Sequence, residues 1–142
     1  MAKGLTQCCS LSLLLFNLIG ELLNLLLLKS LSSGLLYGLV IGRNKGSFNL
    51  SHLQFTYDLI IFYDASKMQI LNVKRVLRVF EVMTGLQLNL NKSRLFGINT
   101  SENEVKEWVR AIGYSVGSLP SDYLGLPLGA NRNSSSLWDS II

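Results

Sequence analysis

A leucine-rich run extends from Leu11 to Leu28 and is interrupted by Asn17, Glu21 and Asn24. These interruptions are four and three residues apart. On a helix, that spacing places the three polar side chains on one face and leucines over the rest. An ionised glutamate in the middle of a membrane span costs roughly 2.5–3.5 kcal/mol on insertion scales. We therefore predict a mostly buried core helix and keep membrane insertion as the alternative.

The next part of the chain alternates between short apolar runs and turn residues. Residues 36–42 read as a strand, and residues 43–46 supply the turn that follows. Two further apolar runs, at residues 51–55 and 59–63, are joined by residues 56–58. So short a connection between two such runs predicts a tight β-hairpin.

Residues 66–84 have the periodicity of an amphipathic helix, with Gly85 as a plausible stop signal. The helix is expected to place apolar side chains near one face, namely Leu71, Leu77, Phe80 and Met83. It is expected to direct charged side chains outward, namely Lys67, Lys74, Arg75, Arg78 and Glu81. The pattern therefore predicts a helix at the border between the core and solvent.

Two more strands are predicted at residues 86–90 and 94–98. Ser101 and Glu104 then have the spacing of a capping box, which predicts a helix through residue 112 that ends at Gly113.

The last part of the chain, residues 116–128, is punctuated by Gly and Pro and is expected to be extended. Residues 134–136 are expected to begin a short final helix. Helices and short strands in this order predict an α+β fold with an antiparallel sheet. A chain of 142 residues fits one domain at most.

The composition is unusually apolar. The hydrophobic fraction is 49% and the charged fraction is 15%, against roughly 25% charged residues in an average soluble domain. Such a chain is either membrane-associated or a piece of a larger protein whose partner surfaces are exposed. The net charge of +4 is compatible with nucleic acid as a partner but does not require it.

Cys8 and Cys9 are adjacent and are the only cysteines, while His52 is the only histidine. These residues are too few for a Cys/His zinc site. Adjacent cysteines cannot link distant segments, and no small-residue cleavage site follows the leucine-rich run. We therefore expect an intracellular rather than a secreted protein, with no particular compartment indicated.

Four motifs resemble those of plant LINE-type reverse transcriptases, the enzymes of non-LTR retrotransposons. L-Q-F-T-Y-D-L-I-I-F at residues 53–62 looks like the family's L-Q-F-A-D-D-T-L-I-F hairpin. G-L-Q-L-N-L-N-K-S at residues 85–93 resembles G-L-x-x-N-x-x-K-S, and Y-L-G-L-P-L-G at residues 123–129 resembles Y-L-G-x-P-L-G. G-L-T-Q-C-C-S-L-S-L-L-L-F at residues 4–16 is similar to an eroded G-L-R-Q-G-D-P-L-S-P-F-L-F. The motifs occur in the family's order, and the resemblance extends over essentially the whole chain, from Gly4 to the C-terminus.

The resemblance implies that residues 1–142 form a partial polymerase palm, truncated at both ends, whose ancestral activity is RNA-directed DNA polymerisation with Mg²⁺. The family's first aspartate at the hairpin corresponds to Tyr57, and the second corresponds to Asp58. A further metal-binding aspartate of the family lies on a strand that would precede Met1. A phenol is a bulky, poor ligand for Mg²⁺. We therefore expect no polymerase activity and no functional metal site or other cofactor.

The resemblance also assigns roles outside the hairpin. Gln7 would face the incoming nucleotide and the template, and Lys92 would assist the leaving pyrophosphate. A loop that grips the primer strand would contain Tyr123, Leu124, Gly125, Pro127 and Gly129.

The residues by themselves allow simpler interpretations. Asp58 is a common turn residue, and Lys92 is equally natural as a solvated turn lysine. Residues 123–129 also suit an apolar strand whose glycines permit a bulge.

Two function hypotheses follow from the sequence. The first is a degenerate, inactive reverse transcriptase fragment that binds nucleic acid weakly and without specificity, and that has no small-molecule substrate. The second is a small membrane-associated or interaction protein anchored by the run from Leu11 to Leu28. The downstream motifs favour the first, because a membrane anchor has no reason to contain them.

Overall fold

The computed structural model describes residues 10–42 and 46–129. Within these residues the chain forms three helices and eight short strands, and the strands associate in pairs as four two-stranded sheets. The predicted α+β class is confirmed. The chain divides into two compact units, Met1–Gln87 and Leu88–Ile142.

The first unit begins with helix α1, Ser10–Ser32, which packs against α2 (Lys67–Thr84). The buried residues of α1 are Leu23, Leu27 and Ser30, which recur at helical spacing along one side. Most of the helix is exposed, so the prediction of a mostly buried core helix is wrong. The three buried residues all lie in the C-terminal half of α1, on a single stripe of the helix.

Strands β1 (Leu39–Ile41) and β2 (Phe48–Leu50) are antiparallel, with Leu39 opposite Leu50. The strand predicted over residues 36–42 is confirmed for residues 39–41 alone. Strand β2 was not predicted, because three residues with a central asparagine carry almost no periodicity. Three residues of the predicted turn, 43–45, lie outside the described part of the chain.

The predicted hairpin is confirmed. Strand β3, His52–Phe55, pairs with β4, Asp58–Ile61, and Phe55 lies directly opposite Asp58. The two-residue turn is therefore formed by Thr56 and Tyr57, and Thr56 has a positive φ of 48°. Asp58 is the first residue of β4 rather than part of the turn.

Helix α2 has the predicted ends. The Ser66 side chain accepts a hydrogen bond from the Gln69 N–H at the N-cap, and Gly85 ends the helix with a φ of 73°. Leu77 and Phe80 are buried as predicted.

The other two apolar positions that were predicted for the core side of α2 are not fully buried. Leu71 is half-buried, and Met83 is 58% exposed, which corrects the prediction for Met83. Instead, the buried surface includes the polar residues Gln69 and Asn72.

The side chains of Gln69 and Asn72 hold the segment that follows α1 in place. The Tyr37 N–H donates to Gln69 Oε1 at 3.0 Å, and Asn72 Nδ2 donates to the Leu35 carbonyl at 2.9 Å. Because buried polar groups require partners, these bonds specify how residues 35–37 cross α2. Leu36 between them is 2% exposed and belongs to the core of the first unit.

In the second unit, residues 88–90 are irregular, and so are residues 86–87 at the end of the first unit. The strand predicted over residues 86–90 is therefore wrong. A turn takes its place at the start of the second unit, because the N–H groups of Lys92 and Ser93 both donate to the Asn89 carbonyl.

Strand β5, Arg94–Leu95, pairs in parallel with β6, Ser115–Val116. Helix α3, Glu102–Ile112, connects the two strands, as parallel pairing requires a crossover. The second strand was predicted to extend to residue 98 and is shorter. The pairing is parallel, so the expectation of antiparallel pairing does not hold for these two strands.

The predicted capping box of α3 is confirmed. The Ser101 side chain accepts from the Glu104 N–H, and the Glu104 carboxylate accepts from the Ser101 N–H. The helix ends at Gly113, whose φ is 82°. Among the described residues of this unit, the buried apolar ones are Leu95, Val105 and Ile112.

A second hairpin closes the described chain. Strand β7, Ser121–Tyr123, pairs antiparallel with β8, Leu126–Leu128, and Leu124 and Gly125 form the turn with φ of 54° and 78°. Positive φ at both turn residues is typical of a type I′ turn. The extended segment predicted over residues 116–128 is thus two strands and a turn. The helix predicted from residue 134 lies outside the described residues.

Candidate functional site

The tip of the β3–β4 hairpin carries Tyr57 and Asp58, which the sequence resemblance aligns with a metal-binding pair. Tyr57 is 85% exposed, and its ring lies against Phe16 of α1 with centroids 4.6 Å apart and planes at 52°. This tilted arrangement is favourable for two aromatic rings. Asp58, the next residue, is also exposed at the start of β4. The tip thus presents one carboxylate and one phenol to solvent.

A divalent metal site built by the protein needs several oxygen, nitrogen or sulfur ligands within reach of one ion. Across residues 10–42 and 46–129, no three His, Cys, Asp or Glu side chains form a group of this kind. Asp58 therefore belongs to no group of three such side chains in that part of the chain.

An open groove of about 510 Å³ lies between α1 and the hairpin. Helix α1 and the hairpin supply its lining residues, which are Leu13, Phe16, Asn17, Gly20, Glu21, Asn24, His52, Leu53, Gln54 and Thr56. The polar face predicted for α1 therefore faces the hairpin. Within this face, Asn24 Nδ2 donates to Glu21 Oε1 at 3.2 Å. The sequence predicted this polar face of α1, but it did not predict the groove beside the face.

Gly20 lets the hairpin approach α1 closely. A Cβ atom at this position would lie 2.9 Å from Gln54 Nε2. The nearby atom is the end of a flexible side chain, so the approach is close but adjustable.

His52 lies in β3 at the edge of the groove and is half-buried. Its Nδ1 is 2.8 Å from Ser51 Oγ, which is buried. Burial lowers the pKa of the imidazole below its ordinary value of 6.5. The ring is therefore neutral at pH 7 and acts as a hydrogen-bonding group of the hairpin, not as a cation.

Lys92 is an exposed turn residue of the second unit. Its N–H donates to the Asn89 carbonyl at 3.1 Å and to Asn89 Oδ1 at 3.3 Å. These contacts fix the backbone, and the side chain extends from the turn. This placement is the one expected for a solvated turn lysine.

The residues assigned to a primer grip form the β7–β8 hairpin. Tyr123 ends β7, Leu124 and Gly125 form the turn, and Pro127 lies in β8 opposite Asp122. Gly129 follows with a φ of 74°, and a Cβ atom there would lie 2.9 Å from Leu119 Cβ. Both positive φ and close packing therefore favour glycine at residue 129. The motif is a regular hairpin, with no bulge between its paired residues.

The predicted site residues are divided between the two units. Tyr57 and Asp58 belong to the first, whereas Lys92 and residues 123–129 belong to the second. Gln7 lies outside the described residues.

Comparison with known proteins adds no family. No protein-family model matches the chain, and no solved structure matches it. The resemblance to reverse transcriptases therefore rests on the four sequence motifs.

Proposed function

We propose that this chain is a catalytically inactive remnant of the palm of a plant LINE-type reverse transcriptase. The observation that carries the proposal is the β3–β4 hairpin, whose two-residue turn places Tyr57 directly before Asp58. In the family this turn carries two aspartates in succession. The motifs at residues 85–93 and 123–129 follow in the family's order and support the same origin.

The proposed loss of activity follows from the chemistry of the ligands. Polymerases use two divalent ions to activate the attacking hydroxyl and to stabilise the departing pyrophosphate. Those ions need carboxylates from two separate strands. The hairpin retains Asp58 alone, and Tyr57 offers an exposed phenol in place of the carboxylate that would bridge the ions.

Primer extension tests this proposal. The purified chain is expected to incorporate no nucleotide on RNA or DNA templates with Mg²⁺ or Mn²⁺, giving the same background as a mock purification. Tyr57→Asp is expected to remain inactive, because the two ions need carboxylates from two separate strands and the substitution adds one at the hairpin alone. The Asp58→Ala variant is the matched control.

Template-dependent incorporation that disappears in Asp58→Ala would contradict the proposal. Activity gained by Tyr57→Asp would show that another carboxylate, for example that of Asp64, supplies the ligand expected from the second strand.

A further inference from the structure

The side of α2 that points away from the core carries cations and large apolar side chains, which together we call the outer face. Its cations are all exposed, namely Lys67, Lys74, Arg75 and Arg78. Its apolar side chains are 48–73% exposed, namely Met68, Val79, Val82 and Met83. Buried residues such as Ile70, Val73 and Phe80 lie on the opposite side of the helix. The exposed apolar side chains are therefore additional to those that α2 packs into the first unit.

Three of the cations form a line along the outer face. Lys67, Lys74 and Arg78 are spaced by seven and four residues, which keeps them on one side of α2 over about 16 Å. The helix contains a single carboxylate, that of Glu81, which lies 3.0 Å from Arg78. A surface ion pair of this kind is weak, so it leaves Arg78 able to attract an external carboxylate. With Asp64 just before the helix included, cations still outnumber carboxylates by two to one. The line is complementary to a row of negative charges.

The apolar side chains adjoin this line of cations. Val79 is three residues from Val82 and four from Met83, and Met68 lies about three turns earlier on the same side. A polyanion without apolar groups would leave these side chains in water. The one aromatic residue of α2, Phe80, is buried, so this fully described helix offers no exposed ring on which a nucleobase could stack. Cations beside aliphatic side chains therefore favour a protein partner over a nucleic acid.

A lipid bilayer is also a poorer match for the outer face. Arg75 lies among the apolar side chains, between Met68 and Val79. Its Nη1 donates to Asn72 Oδ1 at 2.9 Å, which holds the guanidinium close to the helix. Inserting the neighbouring apolar side chains would carry this cation into the hydrocarbon, where a charge is costly. A protein partner can place a carboxylate opposite Arg75 instead.

We propose that the outer face of α2 binds an amphipathic helix of a partner protein. The apolar stripe of that helix packs against the exposed valines and methionines, and its acidic edge lies along the line of cations. Charges at the edge of an apolar helix–helix seam determine which partner is accepted. A second copy of α2 would oppose cations to cations, so like charges disfavour a symmetric pair. This inference does not depend on the proposed origin of the chain.

Binding of synthetic peptides tests the proposal on the full chain. The acidic peptide has the length of α2, 18 residues, with leucines along one helical stripe and glutamates along its edge. A charge-inverted peptide has lysine in place of each glutamate. In fluorescence anisotropy the acidic peptide is expected to bind about tenfold more tightly, and the difference is expected to shrink at high salt. This comparison needs no variant, so it does not depend on a substituted chain folding.

The Lys67→Glu/Lys74→Glu variant reverses the charge at two positions of the line. It is expected to lower the affinity for the acidic peptide by about tenfold or more, and to raise the affinity for the charge-inverted peptide. The matched control is Arg94→Glu/Arg110→Glu in the second unit, which changes the net charge by the same amount at exposed positions. This control is expected to bind the acidic peptide as the unmodified chain does.

The Val82→Gln/Met83→Gln variant tests the apolar part, at positions that are 73% and 58% exposed. It is expected to bind the acidic peptide about fivefold more weakly, because less apolar surface leaves water on binding. Glutamine is a good helix former, so α2 is expected to keep its helical circular dichroism.

Three results would overturn the proposal. Equal binding of the two peptides, or equal losses in Lys67→Glu/Lys74→Glu and in its control, would show that the line of cations is not the binding surface. Binding unchanged by Val82→Gln/Met83→Gln would exclude packing of an apolar stripe. RNA or phosphatidylserine vesicles that bind more tightly than the acidic peptide, and that are lost in Lys67→Glu/Lys74→Glu, would assign the outer face to that partner instead.

Discussion

The Tyr57 ring lies at the tip of the β3–β4 hairpin, against Phe16 of α1. An aspartate at this position would place a charge beside the same aromatic ring and lose the tilted ring contact. Aromatic pairs contribute about 0.5–1.5 kcal/mol beyond their buried area. If the chain has the proposed origin, the tyrosine at this position replaces a metal ligand with a contact between the hairpin and α1.

His52 makes the stability of the first unit depend on pH. Burial lowers the pKa of its imidazole in the folded state, so the unfolded chain binds a proton more readily. The free energy of unfolding is therefore expected to be highest above pH 6.5, the ordinary pKa of histidine in an unfolded chain. It is expected to fall as the pH drops below that value. Urea titrations between neutral and mildly acidic pH measure this change, and His52→Gln is expected to flatten it. A pH dependence of the same size in that variant would assign the effect to other groups.

At the scale of elements, local signals predicted helix ends accurately. The caps of α2 and α3 require hydrogen bonds among residues at most four apart, such as those between Ser101 and Glu104 or between Gly85 and Glu81. The β3–β4 hairpin was also predictable, because its two strands are separated by two residues. The segment from Tyr123 to Gly129 likewise contains a local hairpin, whose turn includes Gly125 with a positive φ.

The errors arose where structure depends on distant residues. Strand β6 pairs with β5 across the whole of α3, and neither strand is longer than two residues. The burial of α1 depends on which other elements pack against it. The leucine content of the helix does not determine those elements. The groove depends on the approach of β3 to Gly20, about which the helical pattern carries no information.

Two glycines of the first unit are expected to respond oppositely to alanine. In Gly20→Ala the new Cβ meets the movable end of Gln54, so the gain in helix propensity is expected to stabilise the unit by about 0.5–1 kcal/mol. In Gly38→Ala the Cβ would lie 2.6 Å from the Leu50 carbonyl oxygen, which β1–β2 pairing holds in place. A loss of about 1–3 kcal/mol is expected there.

Urea denaturation followed by helical circular dichroism compares the two variants directly. Each serves as the control for the other, because both add one methyl group to the same unit. Destabilisation by Gly20→Ala, or an unchanged midpoint for Gly38→Ala, would contradict the described packing of α1 and β1.

At the scale of the whole molecule, the positive charge is modest, with a net value of +4, and is scattered along the sequence. Nucleic-acid binding is therefore expected to be weak and indifferent to sequence. If about four phosphates are contacted, affinity is expected to fall about 100-fold between low and moderate salt. Fluorescence anisotropy with unrelated RNAs of equal length, repeated at several salt concentrations, measures the sequence preference and the salt dependence of binding. Retention of one RNA over the others at moderate salt would indicate specific recognition.

The proposed descent of the chain from a reverse transcriptase is tested most directly by the DNA that flanks its coding sequence. If the account is correct, the DNA that flanks the coding sequence encodes further finger, palm or thumb sequence of the same family, in frame or interrupted by stops. An ordinary promoter and leader upstream, with no trace of such coding on either side, would contradict the account and favour the membrane-associated protein.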